Sequence, residues 1–353
     1  LYDKFNVSKF NQGFLPRHMK RITLTTMLIA SLFPVAKAEV TVHQLNDKVS
    51  FQAVTWQGQY ALASGTAGGI YLSANDGNSW QQIPAPAGAE AKQFRDNQRL
   101  SSGRLVVMSA GEGPDSGLFI SDNAGAHWQQ VSQGEAQSTF YDCFYMTSLT
   151  MGWLYGDSDE QGLFVLATTD GGLNWQRQSL PIKAQSSEGG FASSGTCLND
   201  APGRGIVIGT GNGDTPRLLI LEGNQWHSIE SPIAGGEASG IFSVQATTNT
   251  VFVSGGSLKL AGAVASAWQY FIDSGNWQAL PELPLKGAVY GSALLATTEG
   301  VEYWVSNPQG VAVLKPGADD WLVVSQSNIW SLACQAEKGC IGAGKNGVVE
   351  LYR

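Results

Sequence analysis

Ile70-Tyr71-Leu72-Ser73-Ala74-Asn75-Asp76-Gly77-Asn78-Ser79-Trp80 is the stretch on which the fold turns. A short apolar run gives way to the order Ser-x-Asn-x-Gly-x-x-Trp. The same order returns at 118–128 (LFISDNAGAHW) and at 165–175 (VLATTDGGLNW), and weaker forms end at Trp226, Trp277 and Trp321. The six tryptophans recur every 44–51 residues, the period of a repeat architecture. Each turn reads as a hairpin cap. An Asp or Asn side chain accepts backbone N–H bonds as Asx-turns do, Gly supplies positive φ, and Trp packs apolar area between neighbouring units. Ser73, Asn75, Gly77 and Trp80, then Ser121, Asn123, Gly125 and Trp128, then Thr168, Asp170, Gly172 and Trp175 are therefore fold determinants.

The rest of each unit repeats as well. A strand-like run opens it (49–55, 140–146, 240–246), and a second follows (60–64, 105–110, 205–209, 251–254). A Gly-rich loop leads to the third strand and the Asp-box turn to the fourth. Four antiparallel strands per unit make the blade of a propeller. After Trp321 the chain supplies three strands, near 330–333, 340–343 and 348–352, and then stops. Residues 40–45 can supply the missing outer strand. The expectation is an all-β, seven-bladed β-propeller of four-stranded antiparallel blades, its ring closed by an N-terminal strand joining the C-terminal blade, which also covers an open sheet edge.

The N-terminus reads differently. Met19-Lys20-Arg21, an apolar run over 22–33, Pro34 and Ala36-Lys37-Ala38 have the order of a signal peptide ending at 38. The apolar run is shorter than the roughly 20 residues a spanning helix needs. Residues 1–18 precede that start and read as an upstream or disordered extension, leaving 39–353 as one propeller domain, exported to the periplasm or beyond. The formal charge of the whole chain is −8. Residues 1–38 hold Lys4, Lys9, Arg17, Lys20, Arg21 and Lys37 against Asp3 alone, so the remainder is more acidic still. Such a surface repels phosphate backbones and anionic lipid, which argues against a nucleic-acid partner, and no further apolar stretch approaches membrane-spanning length, so no span is expected in the mature chain. A monomer is expected.

Cys334 and Cys340 flank a short polar connection and are placed to staple a hairpin. Cys143 and Cys197 fall at similar points of successive repeats and read either as a bridge between blades or as buried free thiols. No C-x-x-C occurs and only His43, His127 and His227 follow residue 38, so neither a metal nor another cofactor is expected.

Four further strings carry a resemblance: 109–114 (SAGEGP), 140–143 (FYDC), 188–197 (EGGFASSGTC) and 238–244 (ASGIFSV). With the Asp-boxes they resemble the BNR/Asp-box repeat propellers, in particular the bacterial photosystem II assembly-factor-like (YVTN/BNR-like repeat) exported group, whose members are loosely labelled oxidoreductase or glycosyl hydrolase. The resemblance covers most of 48–353 and implies the propeller fold. A Tyr-Arg-Ser string of that group stands here as Val289-Tyr290-Gly291-Ser292, without the arginine.

Loops entering the inner strands, together with loops joining second and third strands, share one face around the axial channel, where repeat scaffolds gather function. The candidates there are Arg95, Asp96, Tyr141, Asp142 and Glu188 from the first loop set, and Glu112 and Asp157 from the second. One arginine, one tyrosine and several carboxylates can bind a peptide, a sugar or a cation; as structural groups they would pair with the inner-strand ends. The reading favoured is a binding or assembly scaffold engaging a protein or peptide at this face. The alternatives are a carbohydrate-active module, lectin-like or a carboxylate-based glycosidase built on Glu112, Asp142 or Glu188, and an oxidoreductase. Whether the chain is an enzyme stays open, and no catalytic residue is assigned. A sialidase site is argued against by the few arginines and the missing Phe/Tyr-Arg-Ile-Pro string. His127 and His227 sit beside outer-strand tryptophans, away from any Ser-His-Asp arrangement, and Gly209-Thr210-Gly211-Asn212-Gly213 has no helix pattern after it to bind a dinucleotide.

Overall fold

A computed structural model describes residues 39–260, 262 and 265–353. The segments 1–18 and 19–38, read above as an extension and a signal peptide, lie outside the described residues. The described chain forms seven four-stranded antiparallel sheets arranged as a propeller. In each blade the first strand is innermost, and inner strands of successive blades are neighbours. These inner strands are Phe51–Gln57, Phe94–Arg99, Tyr141–Met146, Leu198–Ala201, Ser239–Ala246, Gly291–Thr297 and Ile329–Gln335, for blades 1 to 7. The last blade takes its outer strand from Val40–Gln44, which pairs with Val348–Tyr352, and Glu39 and Arg353 exchange backbone hydrogen bonds beyond it. Seven blades and this closure are as the sequence predicts.

The core is not one mass but seven layers, one between each pair of adjacent blades. Val49, Phe51, Trp56, Ile341 and Leu351 fill the seam of blades 7 and 1; Phe94, Leu105 and Phe119 meet Leu62 and Ile70 in the next. Alternation along each strand sends one set of side chains to each neighbouring layer. The Asp-box turns lock onto these layers from the rim. Ser73 Oγ accepts the Gly77 N–H (2.9 Å) and Asn75 Oδ1 accepts the Ser79 N–H (2.9 Å). Ser121 and Asn123 bond Gly125 and His127 in the same way, as Thr168 and Asp170 bond Gly172 and Asn174. Trp80 and Trp175 donate their indole N–H to the turn's own glycine carbonyl, whereas Trp128 reaches back to the Pro84 carbonyl of the preceding blade.

Both cysteine pairs are bonded. Cys334–Cys340 ties opposed residues of the first hairpin of blade 7, and Cys143–Cys197 joins the inner strand of blade 3 to the entry of blade 4. Disulfides of this kind belong to proteins that fold outside the reducing cytoplasm.

Cys143–Cys197 closes a loop of 54 residues. Chain entropy then assigns it about 4 kcal/mol. The double variant Cys143→Ser/Cys197→Ser is expected to lose about that much in urea unfolding at unchanged slope; a loss under about 1 kcal/mol would show that the seam is held by packing alone.

Candidate functional site

The side chains at the channel mouth are placed by a defect that recurs in the inner strands. In blades 1, 2, 3, 5 and 7 the pairing register slips near the strand's start, skipping one residue. A bulge of this kind re-aims the skipped side chain. The skipped residues are Gln52, Arg95, Asp142, Phe242 and Trp330. They lie on the face that carries the blade-to-blade connectors. Of the five, only Arg95 and Asp142 are named by the sequence. Gln52, Phe242 and Trp330 differ in type and share only their place in the repeat, a signal that emerges when the repeats are aligned on the inner strand.

This mouth is filled by the protein's own chain. The connector between blades 3 and 4, residues 188–197, crosses it and is bonded on all sides. Gly190 N–H donates to Asp142 Oδ2 (2.8 Å), and Arg95 Nη1 donates to the Ala192 carbonyl (3.4 Å). Ser193 and Ser194 hydroxyls donate to the Tyr290 carbonyl, and Ser331 Oγ donates to the Ser194 carbonyl (3.0 Å). Beneath them Ser194, Thr196, Ser243 and Ser292 share a relay of hydroxyl hydrogen bonds, each 2.6 Å. Phe191 stacks on Phe242 with ring centroids 3.7 Å apart, and Tyr290 and Trp330 continue the aromatic row over blades 6 and 7.

Glu188 anchors the connector. It is fully buried, and its two oxygens take Arg217 Nε (2.7 Å) and Nη2 (2.6 Å) side by side, while the Gln185 N–H adds a third bond. Arg217, which the sequence does not single out, is thus the partner that makes a buried carboxylate tolerable. Glu188 here is a fixed joint with its lone pairs engaged. Asp96 is also buried. It accepts the N–H groups of Asn97 and Phe144 (2.7 Å each), so it stitches blade 2 to blade 3. Burial pushes its carboxyl well above the usual range, against those two bonds. Tyr141 turns away from the mouth into the layer between blades 2 and 3, where its hydroxyl meets Ser132 Oγ (2.8 Å) and its ring packs on Phe164. Glu112 is exposed at the tip of the loop between the second and third strands of blade 2.

Arg95, Asp142 and Asp157 are the predicted residues that the fold brings together. Gly189 and Gly190 thread past the two carboxylates, and only glycine fits: a Cβ on Gly189 would stand 1.8 Å from Asp157 Oδ1, and one on Gly190 2.8 Å from the Asp142 Cβ. Burial raises the Asp142 carboxyl well above its ordinary value and the charge of Asp157 adds to it, opposed by the Gly190 N–H and by Arg95. Burial raises Asp157 to about 6. Arg95 is half-buried and held by Gln93 Oε1 (2.8 Å); desolvation lowers its pKa, and the charge of Asp142 opposes that. Among the described residues no cluster of His, Cys, Asp and Glu has the form of a metal site, and no helix is long and apolar enough to cross a membrane.

The ring of seven blades closed by an N-terminal strand defines the class, a seven-bladed propeller whose axial channel is filled at its connector-face mouth. No protein-family model matches the chain, and no curated protein is similar to it in sequence. Solved structures share its fold. YCF48 bound to D1 peptide superposes with a TM-score of 0.61 at 12% identity, over 91% of this chain and 96% of that one. YCF48 from Cyanidioschyzon merolae gives 0.64 at 11% identity, over 89% and 98%. The extracellular domain of BT4673 from B. thetaiotaomicron gives 0.62 at 13%, over 88% of this chain and 39% of that one. The propeller fold implied by the sequence resemblance is therefore the fold observed; at such identities the likeness is one of fold.

A carboxyl whose pKa is raised on folding binds its proton more tightly in the folded state, so stability falls as pH rises from the unfolded value through the folded one. With Asp157 near 6, stability is expected to decline between about pH 4 and pH 6, and Asp157→Asn to flatten that decline. Urea midpoints across that range test it, and equal slopes for both proteins would refute the assignment. Separately, Arg217→Ala strands the buried Glu188 charge and is expected to cost about 3–5 kcal/mol, read by the same unfolding experiment.

Proposed function

We propose that this chain is an exported propeller scaffold that holds an extended segment of a partner protein across its connector face. The observation that carries the reading is the sealed mouth. Residues 188–197 occupy the channel entrance, so that this end presents a surface framed by side chains. A surface suits a chain laid over it. Arg95 and Tyr290 are tied to consecutive residues of the seal, Ala192 and Ser193. A partner side chain carrying a carboxylate could meet the half-buried guanidinium while an apolar neighbour packs on the half-buried rings of Tyr290 and Trp330. Arg and aromatic side chains dominate recognition energies at protein interfaces. Asp157 and the exposed Glu112 border the same face and would select against acidic flanks.

Three features support a binding face over carboxylate catalysis. Glu188 spends both oxygens on Arg217, and Asp142 gives Oδ2 to the Gly190 N–H. Asp96 spends its own on two backbone N–H groups. A propeller of the same fold, YCF48, has been solved with D1 peptide bound. The disulfides fit export, as does the signal-peptide order of residues 19–38.

The test is a cross-linking capture from the native exported fraction with the tagged full chain and an Arg95→Ala/Trp330→Ala variant of unchanged circular dichroism. A protein partner is expected in the first and reduced about tenfold or more in the second, the loss of roughly 1.4 kcal/mol or more that removing anchors brings. Equal capture by both forms would reject this face.

A further inference from the structure

The rim face, opposite the seal, carries a groove of about 950 Å³ between blades 3 and 4. That lies within the range of ligand sites, roughly 300–1,000 Å³. Trp153, from the second strand of blade 3, and Trp226, from the outer strand of blade 4, meet edge to face with ring centroids 5.9 Å apart, both half-buried. Met151 extends the apolar wall at 44% exposure.

Trp226 departs from the tryptophans of blades 1 to 3. It stands at the repeat's tryptophan position, but Gly223 and Asn224 make a tight hairpin between Arg217–Glu222 and Gln225–Glu230 where blades 1 to 3 have an Asp-box. Trp80 and Trp175 give their indole N–H to a turn glycine. The indole N–H groups of Trp226 and Trp153 bond to no other described residue, and both rings line the open groove.

The remaining lining narrows the ligand. Asn174, Gln176, Gln178, Asn224 and Gln225 bring carboxamides, each able both to donate and to accept. Sugar hydroxyls have the same double capacity, and the C–H face of a pyranose ring packs on an indole. Asp170 and Asp200 also line the groove, and no Lys or Arg does. Asp170 is held ionised, its carboxyl lowered to about 2 by bonds from Asn174 and Thr168. An anionic ligand would meet these acids, and the neighbouring guanidinium, Arg104, is spent on Asp122 and the Gly171 carbonyl.

We propose that this groove binds a neutral oligosaccharide, its ring faces on Trp153 and Trp226 and its hydroxyls on the surrounding carboxamides. The site is independent of the peptide surface on the opposite face.

The test titrates the full chain with cellohexaose, laminarihexaose, chitohexaose and maltohexaose, and with polygalacturonate as the anionic counterpart, following tryptophan fluorescence and heat. At least one neutral oligosaccharide is expected to bind saturably and to shift the emission. Its Kd is expected to rise about tenfold or more in Trp226→Ala and to stay unchanged in Arg95→Ala. The variant Asn224→Ala/Gln225→Ala removes only exposed carboxamides and keeps the test decisive should Trp226→Ala fail to fold. No saturable signal with any neutral member, tighter binding of polygalacturonate, or binding untouched by the groove variants would each overturn the assignment. Displacement of the sugar by polylysine at low concentration would do so as well, by marking the groove as a docking site for basic peptides.

Discussion

Seven sheets that converge on an axis bring seven inner edges face to face, and every one of those edges carries backbone N–H and C=O groups with no strand beside them. A buried backbone group without a partner costs about as much as a lost hydrogen bond, so the axis must supply partners of another kind. Side chains provide them. Asn97 Nδ2 donates to the Ala53 carbonyl, Ser331 Oγ accepts the Val54 N–H, and Gln98 both donates to and accepts from Met146. Asn199 reaches the Val244 carbonyl and Gln245 that of Ser292. At the step from blade 3 to blade 4 the link is covalent, the Cys143–Cys197 disulfide. The seal over the mouth follows from the same requirement, since a segment rich in Gly and Ser can approach the edges closely and bond them with its main chain and hydroxyls.

The part of this design that was legible in the sequence is the part that repeats in residue type. Asp-box turns demand Ser or Thr, Asp or Asn, Gly and Trp, because side-chain acceptors, a positive φ and a large apolar body are each needed at a fixed offset. The blade count and the N-terminal strand could be read from them. The mouth repeats in geometry and not in type. Gln52, Arg95, Asp142, Phe242 and Trp330 share the bulged position only, and nothing about a polar or aromatic residue near a strand's start announces a bulge. The bulge also explains Tyr141 and Asp142. Local alternation leaves open which of two adjacent residues faces the axis, and the slip between Tyr141 and Cys143 gives the mouth to Asp142 and the packed layer to Tyr141. Arg217 was out of reach for a different reason, since its partner Glu188 lies in the preceding connector and no local spacing links them.

The two faces divide the chemistry of the molecule. On the connector face Asp96, Asp142 and Glu188 are turned inward and hold the chain, while Arg95, Tyr290 and Trp330 are half-buried and Glu112 stands exposed at the border. On the rim face the turns are made of small polar residues whose bonds are satisfied within each turn, so that identity there is free to vary between blades. Blade 4 uses that freedom. Its hairpin omits the Asp-box, and the tryptophan that closes its own turn in blades 1 and 3 is left facing a groove. The same repeat thereby yields a structural residue in one blade and a recognition residue in another.

The pairing of Val40–Gln44 with Val348–Tyr352 has a consequence for the order of events in the life of the chain. The first strand of the propeller belongs to the last blade, and it cannot find its neighbour until residues 348–352 have been made. Each intermediate blade can form as it emerges, but the ring cannot close on a growing polypeptide. Long-range pairing of this kind is slow in any case, because the entropy of bringing distant segments together is spent before the contact rewards it. The ring therefore stays open until residues 348–352 have been made. Closure of the ring is thus the last event of its assembly, and every seam between blades can be in place before it.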